Sequence, residues 1–178
     1  MLRWLGPLTP ILRPTFLALA LAAGQVAVAP DPSAAADIPS AEELRPPGLV
    51  LLEEKQMMEG KQAFGIMAAT ADPAQPGLWR VKVWDELPDR ALVRHETVRC
   101  LPANPMRVTN DGRQLQVRFL NPGGVIHPGN RRDHLLWWAV CFPEQAGRDP
   151  AQLGATARRL GFSGQLVERE QVLPSGQP

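Results

Sequence analysis

The sequence predicts an α+β fold, one mostly antiparallel sheet of five to seven strands with a single C-terminal helix packed on it and one disulfide. Three observations carry that prediction. Several short segments alternate apolar and polar residues between turn signals, the strongest being the hairpin around Asn110-Asp111-Gly112-Arg113. A capped helical pattern follows Asp149-Pro150. Two cysteines, Cys100 and Cys141, stand behind an export-type leader, where an even cysteine count reads as a bridge.

Residues 1–36 read as a signal peptide. Arg3 and Arg13 give a positive start, Phe16 to Ala23 an apolar helix-forming run, and Ala34-Ala35-Ala36 the small residues of a cleavage site before Asp37. Cysteine is missing after that site, which argues against a lipid anchor, and Arg13, Pro14, Gln25 and Pro30 leave too short an apolar run for a transmembrane span. The expected product is soluble and exported, to a periplasm or a thylakoid lumen.

Residues 37–48 read as an extended linker, 49–173 as a single α+β domain and 174–178 as a disordered tail. Within the domain, Leu49 to Gly60 fits a strand by its Leu-Val-Leu-Leu start and a helix by its Glu-Glu-Lys-Gln-Met-Met continuation, so both stay open. Gln62 to Thr70 reads as a strand ended by Asp72 to Gly77. Trp79, Val81 and Val83 then alternate with Arg80 and Lys82, the period of a half-buried strand. Ala91 to Leu101 is the next strand. A two-residue type I′ turn at Asp111-Gly112 sets Val108 opposite Leu115 and Met106 opposite Val117, which puts Arg107 and Arg118 on the other face. Leu135 to Phe142, apolar at every position, reads as a central strand covered on both faces. The helix after Asp149 runs to Gly161, and Gln165 to Leu173 is a last strand.

Charge excludes one class of function. The chain carries a formal net charge of +1, and losing residues 1–36 removes Arg3, Arg13 and Asp31 and leaves none. A nucleic-acid binder needs a pronounced basic excess, so nucleic acid is not an expected partner. The acids Asp37, Glu42, Glu43, Glu53, Glu54 and Glu59 gather at the N-terminal end and leave the remainder mildly basic.

Motifs for catalysis and cofactors are missing. Ser40, Ser163 and Ser175 lie outside any Gly-x-Ser-x-Gly turn. Adjacent acids such as Asp85-Glu86 point to opposite faces of a strand. Three readings remain. The leading one is a monomeric, non-enzymatic binding or accessory domain with a protein partner. It uses a basic sheet face of Arg80, Lys82, Arg107 and Arg118, with Trp138 beneath that face as an aromatic contact. The second is a small anionic-ligand site on Arg131, Arg132 and His134, with Gly123-Gly124 offering backbone donors. The third is a metal- or histidine-dependent enzyme using His127, His134 and Asp133, whose spacing matches no familiar metal pattern. No cofactor is implied. Cys100 and Cys141 are expected to pair as a structural disulfide, joining two strand ends that each run into a proline.

Overall fold

The computed structural model describes residues 40–175. The leader and its cleavage site, the first residues of the linker and the last three residues of the tail lie outside them. Seven strands among the described residues form one antiparallel sheet in sequence order: β1 (Val50–Met57), β2 (Gly60–Ala71), β3 (Leu78–Leu87), β4 (Arg90–Arg99), β5 (Met106–Asn110), β6 (Gln114–Phe119) and β7 (Arg169–Pro174). Between β6 and β7 the chain leaves the sheet to form α1 (Arg131–Cys141), two single 3₁₀ turns and the short α2 (Gly154–Arg159).

Local chemistry explains most turns. Leu87 pairs with Arg90 across Pro88-Asp89, where proline presets the turn. Between β2 and β3 the Asp72 carboxylate accepts the Ala74 N–H (2.9 Å). The β5–β6 hairpin forms where expected, but with four residues, Asp111 to Gln114, between its last paired positions. Asn110 pairs with Leu115 and Val108 with Val117, two positions from the two-residue register. The side chains set this register. Asn110 Oδ1 accepts the Gly112 N–H (2.8 Å), and Asp111 Oδ1 accepts those of Arg113 (2.8 Å) and Gln114 (2.7 Å). Gly112 supplies the left-handed φ of 88°. A shift of two keeps every side chain on its face, so the division of the hairpin into two faces stands. Leu49 to Gly60 resolves as strand β1.

Two elements depart from expectation. Leu135 to Phe142 is not a central strand; residues 131–141 form α1. An apolar run of eight has no period to separate a buried strand from a buried helix. Only Val140 in it is β-branched, and Arg131 to His134, which reads as a connection, supplies the first helical turn. Residues 133–140 are all buried, because the sheet covers one side of α1 and the chain from 142 to 162 covers the other. The Asp149 carboxylate does accept the Ala151 N–H, and Pro150 follows at the first position, but the turn they start is 3₁₀ and α2 begins only at Gly154.

The core joins Leu52, Phe64, Ile66, Val81, Val83 and Val98 from one sheet face to Leu135, Leu136, Trp137, Val140, Leu153 and Phe162. Trp137 stands edge-on to Trp138 and Phe162, with ring centroids 5.2 and 5.0 Å apart, and donates its indole N–H to the Arg99 carbonyl (2.8 Å). Trp138 is 1% exposed inside this aromatic cluster, not beneath the outer sheet face.

Cys100 and Cys141 are bonded, with Cα atoms 5.4 Å apart. Since Cys141 ends a helix, the bridge ties the end of β4 to the end of α1 and does not join two strands. Replacing both cysteines by serine should lower stability by about 2–4 kcal/mol, since the bridge closes a long loop in the unfolded chain. Urea unfolding of the oxidised and serine forms measures this; coincident midpoints would refute a stabilising bridge.

Candidate functional site

Strand alternation places a second set of residues on the helix-facing side of the sheet, continuing the core rows of Val83 and Val98. Asp85 lies on β3, Arg94 and Glu96 on β4, Arg107 on β5 and Arg118 on β6. Above them sits the first turn of α1, with Arg132 and Asp133 in place of the apolar residues farther along. The core therefore gives way to a charged layer at this end.

Arg107 is its centre. It is 4% exposed and holds Glu96 in a fork, Nε to Oε2 at 2.6 Å and Nη2 to Oε1 at 2.8 Å, while Nη1 donates to Asp133 Oδ1 at 2.6 Å. Glu96 and Asp133 are buried as well. Burial acts against the Arg107 charge, yet Glu96 and Asp133 more than offset it and raise its pKa above the ordinary arginine value. Arg118 donates to Asp133 Oδ1 (3.1 Å) and Glu170 Oε2 (3.2 Å). Arg94 and Arg132 both contact Asp85, and the Arg132 guanidinium lies over the Phe64 ring, 4.1 Å from its centroid.

Arg94, Arg107, Arg118 and Arg132 converge on one cleft of about 410 Å³, completed by Thr109, Gln114 and Gln116. Most of the carboxylates sit behind the guanidinium groups; Asp111, at the hairpin tip, lines the cleft but spends Oδ1 on backbone N–H groups. Burial lowers the pKa of Arg94 and of Arg132, and nearby guanidinium groups, Arg132 and Arg107 for the first and Arg107 for the second, push the same way. Arg132 Nε is buried and makes no hydrogen bond among the described residues. The four guanidinium groups are matched by Asp85, Glu96, Asp133 and Glu170, but none of these carboxylates lines the cleft, so the cleft side presents donors of the kind that an incoming anion takes up.

The remaining candidates disperse. Arg80 and Lys82 lie on the opposite sheet face from Arg107 and Arg118, so the four do not make one basic surface. Arg131, Arg132 and His134 share the first turn of α1 but reach different acceptors. Arg131 binds Glu53 (3.2 Å) and Asp149 (2.6 Å), at a neighbouring cleft of about 440 Å³ that Arg132 and His127 also line. His134 is fully buried and its Nε2–H donates to Glu168 Oε1 (2.6 Å). Glu168 also accepts Asn130 Nδ2 (2.8 Å) and the Asn121 N–H (3.0 Å), which ties α1 to the chain entering β7. His127 Nδ1 accepts the Gly129 N–H, and Asp133 belongs to the arginines, so His127, His134 and Asp133 do not converge. Among the described residues no group of three or more His, Cys, Asp or Glu is placed to hold a metal ion.

Arg94, Glu96 and Glu168 escaped the sequence reading, which named Asp85 only as pointing to the opposite strand face from Glu86. The signal for two of them was Val98, whose buried face on β4 is shared by Glu96 and Arg94. No protein-family model, curated protein or solved structure matches the chain.

Two outcomes follow from these pairs. Asp133→Ala leaves Arg107 and Arg118 short of a carboxylate and should cost about 3 kcal/mol in urea unfolding. Burial works to raise the Glu168 pKa, but its bonds from His134 and Asn130 prevail and hold it below its ordinary 4.5. Its contribution is therefore complete above pH 4.5 and disappears as pH falls through the lower folded value. Glu168→Gln should flatten this part of the acid limb when unfolding midpoints are compared between pH 3 and 6.

Proposed function

We propose that this chain is an exported, monomeric, non-enzymatic binding domain of the periplasm or thylakoid lumen, and that its ligand or partner presents an anion to the arginine cleft. The convergence of four guanidinium groups on one water-facing cleft carries this reading. Arginine forks match carboxylate, sulfate and phosphate oxygens in pairs. The neighbouring Thr109, Gln114 and Gln116 add hydroxyl and amide groups, chemistry suited to holding an anion. Export is supported by the leader pattern of residues 1–36 and by the disulfide. No helix among the described residues is long and apolar enough to cross a membrane.

The anionic-ligand reading of the sequence thus keeps Arg132 and moves to new neighbours. Arg94, Arg107 and Arg118 take the places of Arg131 and His134.

Calorimetric titration of the exported chain with sulfate, inorganic phosphate and malonate tests the proposal. Saturable binding that weakens with added salt is expected. Arg94→Ala and Arg118→Ala, both at partly exposed side chains, should each weaken it by about tenfold, and Arg80→Ala on the far face should leave it unchanged. Equal affinity in all three variants would place the anion elsewhere.

A further inference from the structure

Among the described residues, the sheet face turned away from α1 is covered at one end only. There, residues 40–49 pack across β1 to β3. Arg45 donates to both Glu86 oxygens (2.7 and 2.8 Å) and to Glu54 (2.7 Å), while Trp84, buried beside it, donates to Glu86 (3.1 Å). Farther along, the register aligns Thr70, Arg80, Thr97 and Val108 in one row across four strands, with Ala68, Lys82 and His95 in the next. These rows, with Leu115, line an open groove of about 510 Å³.

Its chemistry is divided. Val108 and Leu115 make an apolar floor on β5 and β6, with Arg80, Lys82 and His95 beside it on β3 and β4 and Ala68 beyond them on β2. Arg80, largely exposed, binds Asp72 at 3.1 Å. Lys82 and His95 are exposed and enter no hydrogen bond or ion pair among the described residues. The side chain of Glu96, whose strand borders the groove, is committed to Arg107 on the other face. We infer that this groove binds an amphiphilic anion, its apolar body lying on Val108 and Leu115 and its acidic head meeting Lys82 and His95 on the neighbouring strands. The volume falls within the range of about 300–1,000 Å³ usual for small-ligand sites. A peptide added as a further strand does not fit, because β2 to β5 are each paired on both sides and offer no free edge here. An inorganic ion would leave the floor unused. The inference stands apart from the arginine cleft: Lys82 and Arg94 lie on opposite faces of the same two strands.

The folded chain, titrated with the fluorescent anion 1-anilinonaphthalene-8-sulfonate, should bind it saturably, and dodecanoate below its micelle concentration should displace it. Lys82→Glu with His95→Glu, and separately Val108→Ser, should weaken both ligands by about tenfold, whereas Arg158→Ala, at an exposed residue of α2 that lines neither site, should not. Circular dichroism melts confirm that each variant is folded. Three results would each overturn the inference: affinity unchanged in Lys82→Glu/His95→Glu, displacement by uncharged dodecyl maltoside as strong as by dodecanoate, or displacement by an acidic peptide in place of the fatty acid.

Discussion

A guanidinium group taken out of water needs carboxylates around it, and Arg107 finds them on two different layers. Glu96 comes from the neighbouring strand β4, and Asp133 from α1. That single residue fixes where the helix begins over the sheet. The other end of α1 is fixed covalently, because Cys141 is bonded to Cys100 just past β4. Between these two ties the apolar residues of α1 are held against Val81, Val83 and Val98. Sliding the helix by one turn would leave a buried charge unpaired at one end and strain the bridge at the other. A buried ion pair adds little net stability compared with apolar residues of the same shape. Here its consequence is position: it sets the first turn of α1, and so Arg132, at the edge of the cleft.

Much of the sheet was legible because its strands obey a local rule. Trp79 to Val83 and the Asn110-Asp111-Gly112 hairpin show alternation and turn chemistry within about ten residues, the range over which a sequence states its own structure. Whether Leu135 to Val140 is strand or helix could not be read that way. Its residues are buried on all sides, so the pattern that distinguishes a helix from a strand was erased by the same packing that makes it the core. Hairpin register fell between these cases: the location was local, but the loop length depended on which N–H groups Asn110 and Asp111 would accept.

The candidate site was legible in some of its residues, Arg94 not among them, and illegible as a constellation. Arg107, Arg118 and Arg132 stood out, yet an arginine on a strand normally marks the solvated face, and that expectation reversed the sense of the hairpin. The face holding Arg107 is the inner one, since Glu96 and Asp133 arrive from elements that only the tertiary fold brings together. The apolar side chains Val108, Leu115 and Val117 face outward as a result, half-buried rather than lost in the core. Arg80 and Lys82 kept their outward direction, because Val81 and Val83 on the same strand left no doubt about the core side.

The sheet order carries a consequence for assembly. Strands β1 to β6 follow one another through short connections, but β7 joins β6 only after the chain has made the whole detour from 120 to 168. Closing so long a loop costs more entropy than any hairpin in the sheet. β7 is therefore the strand with the most chain to bring back, and its entry is tied down by Glu168 on His134 and Asn130 and by Glu170 on Arg118. Val172 of that strand lines the arginine cleft. A chain that folds in sequence order would thus complete this wall of the cleft last, after the rest of the sheet is in place.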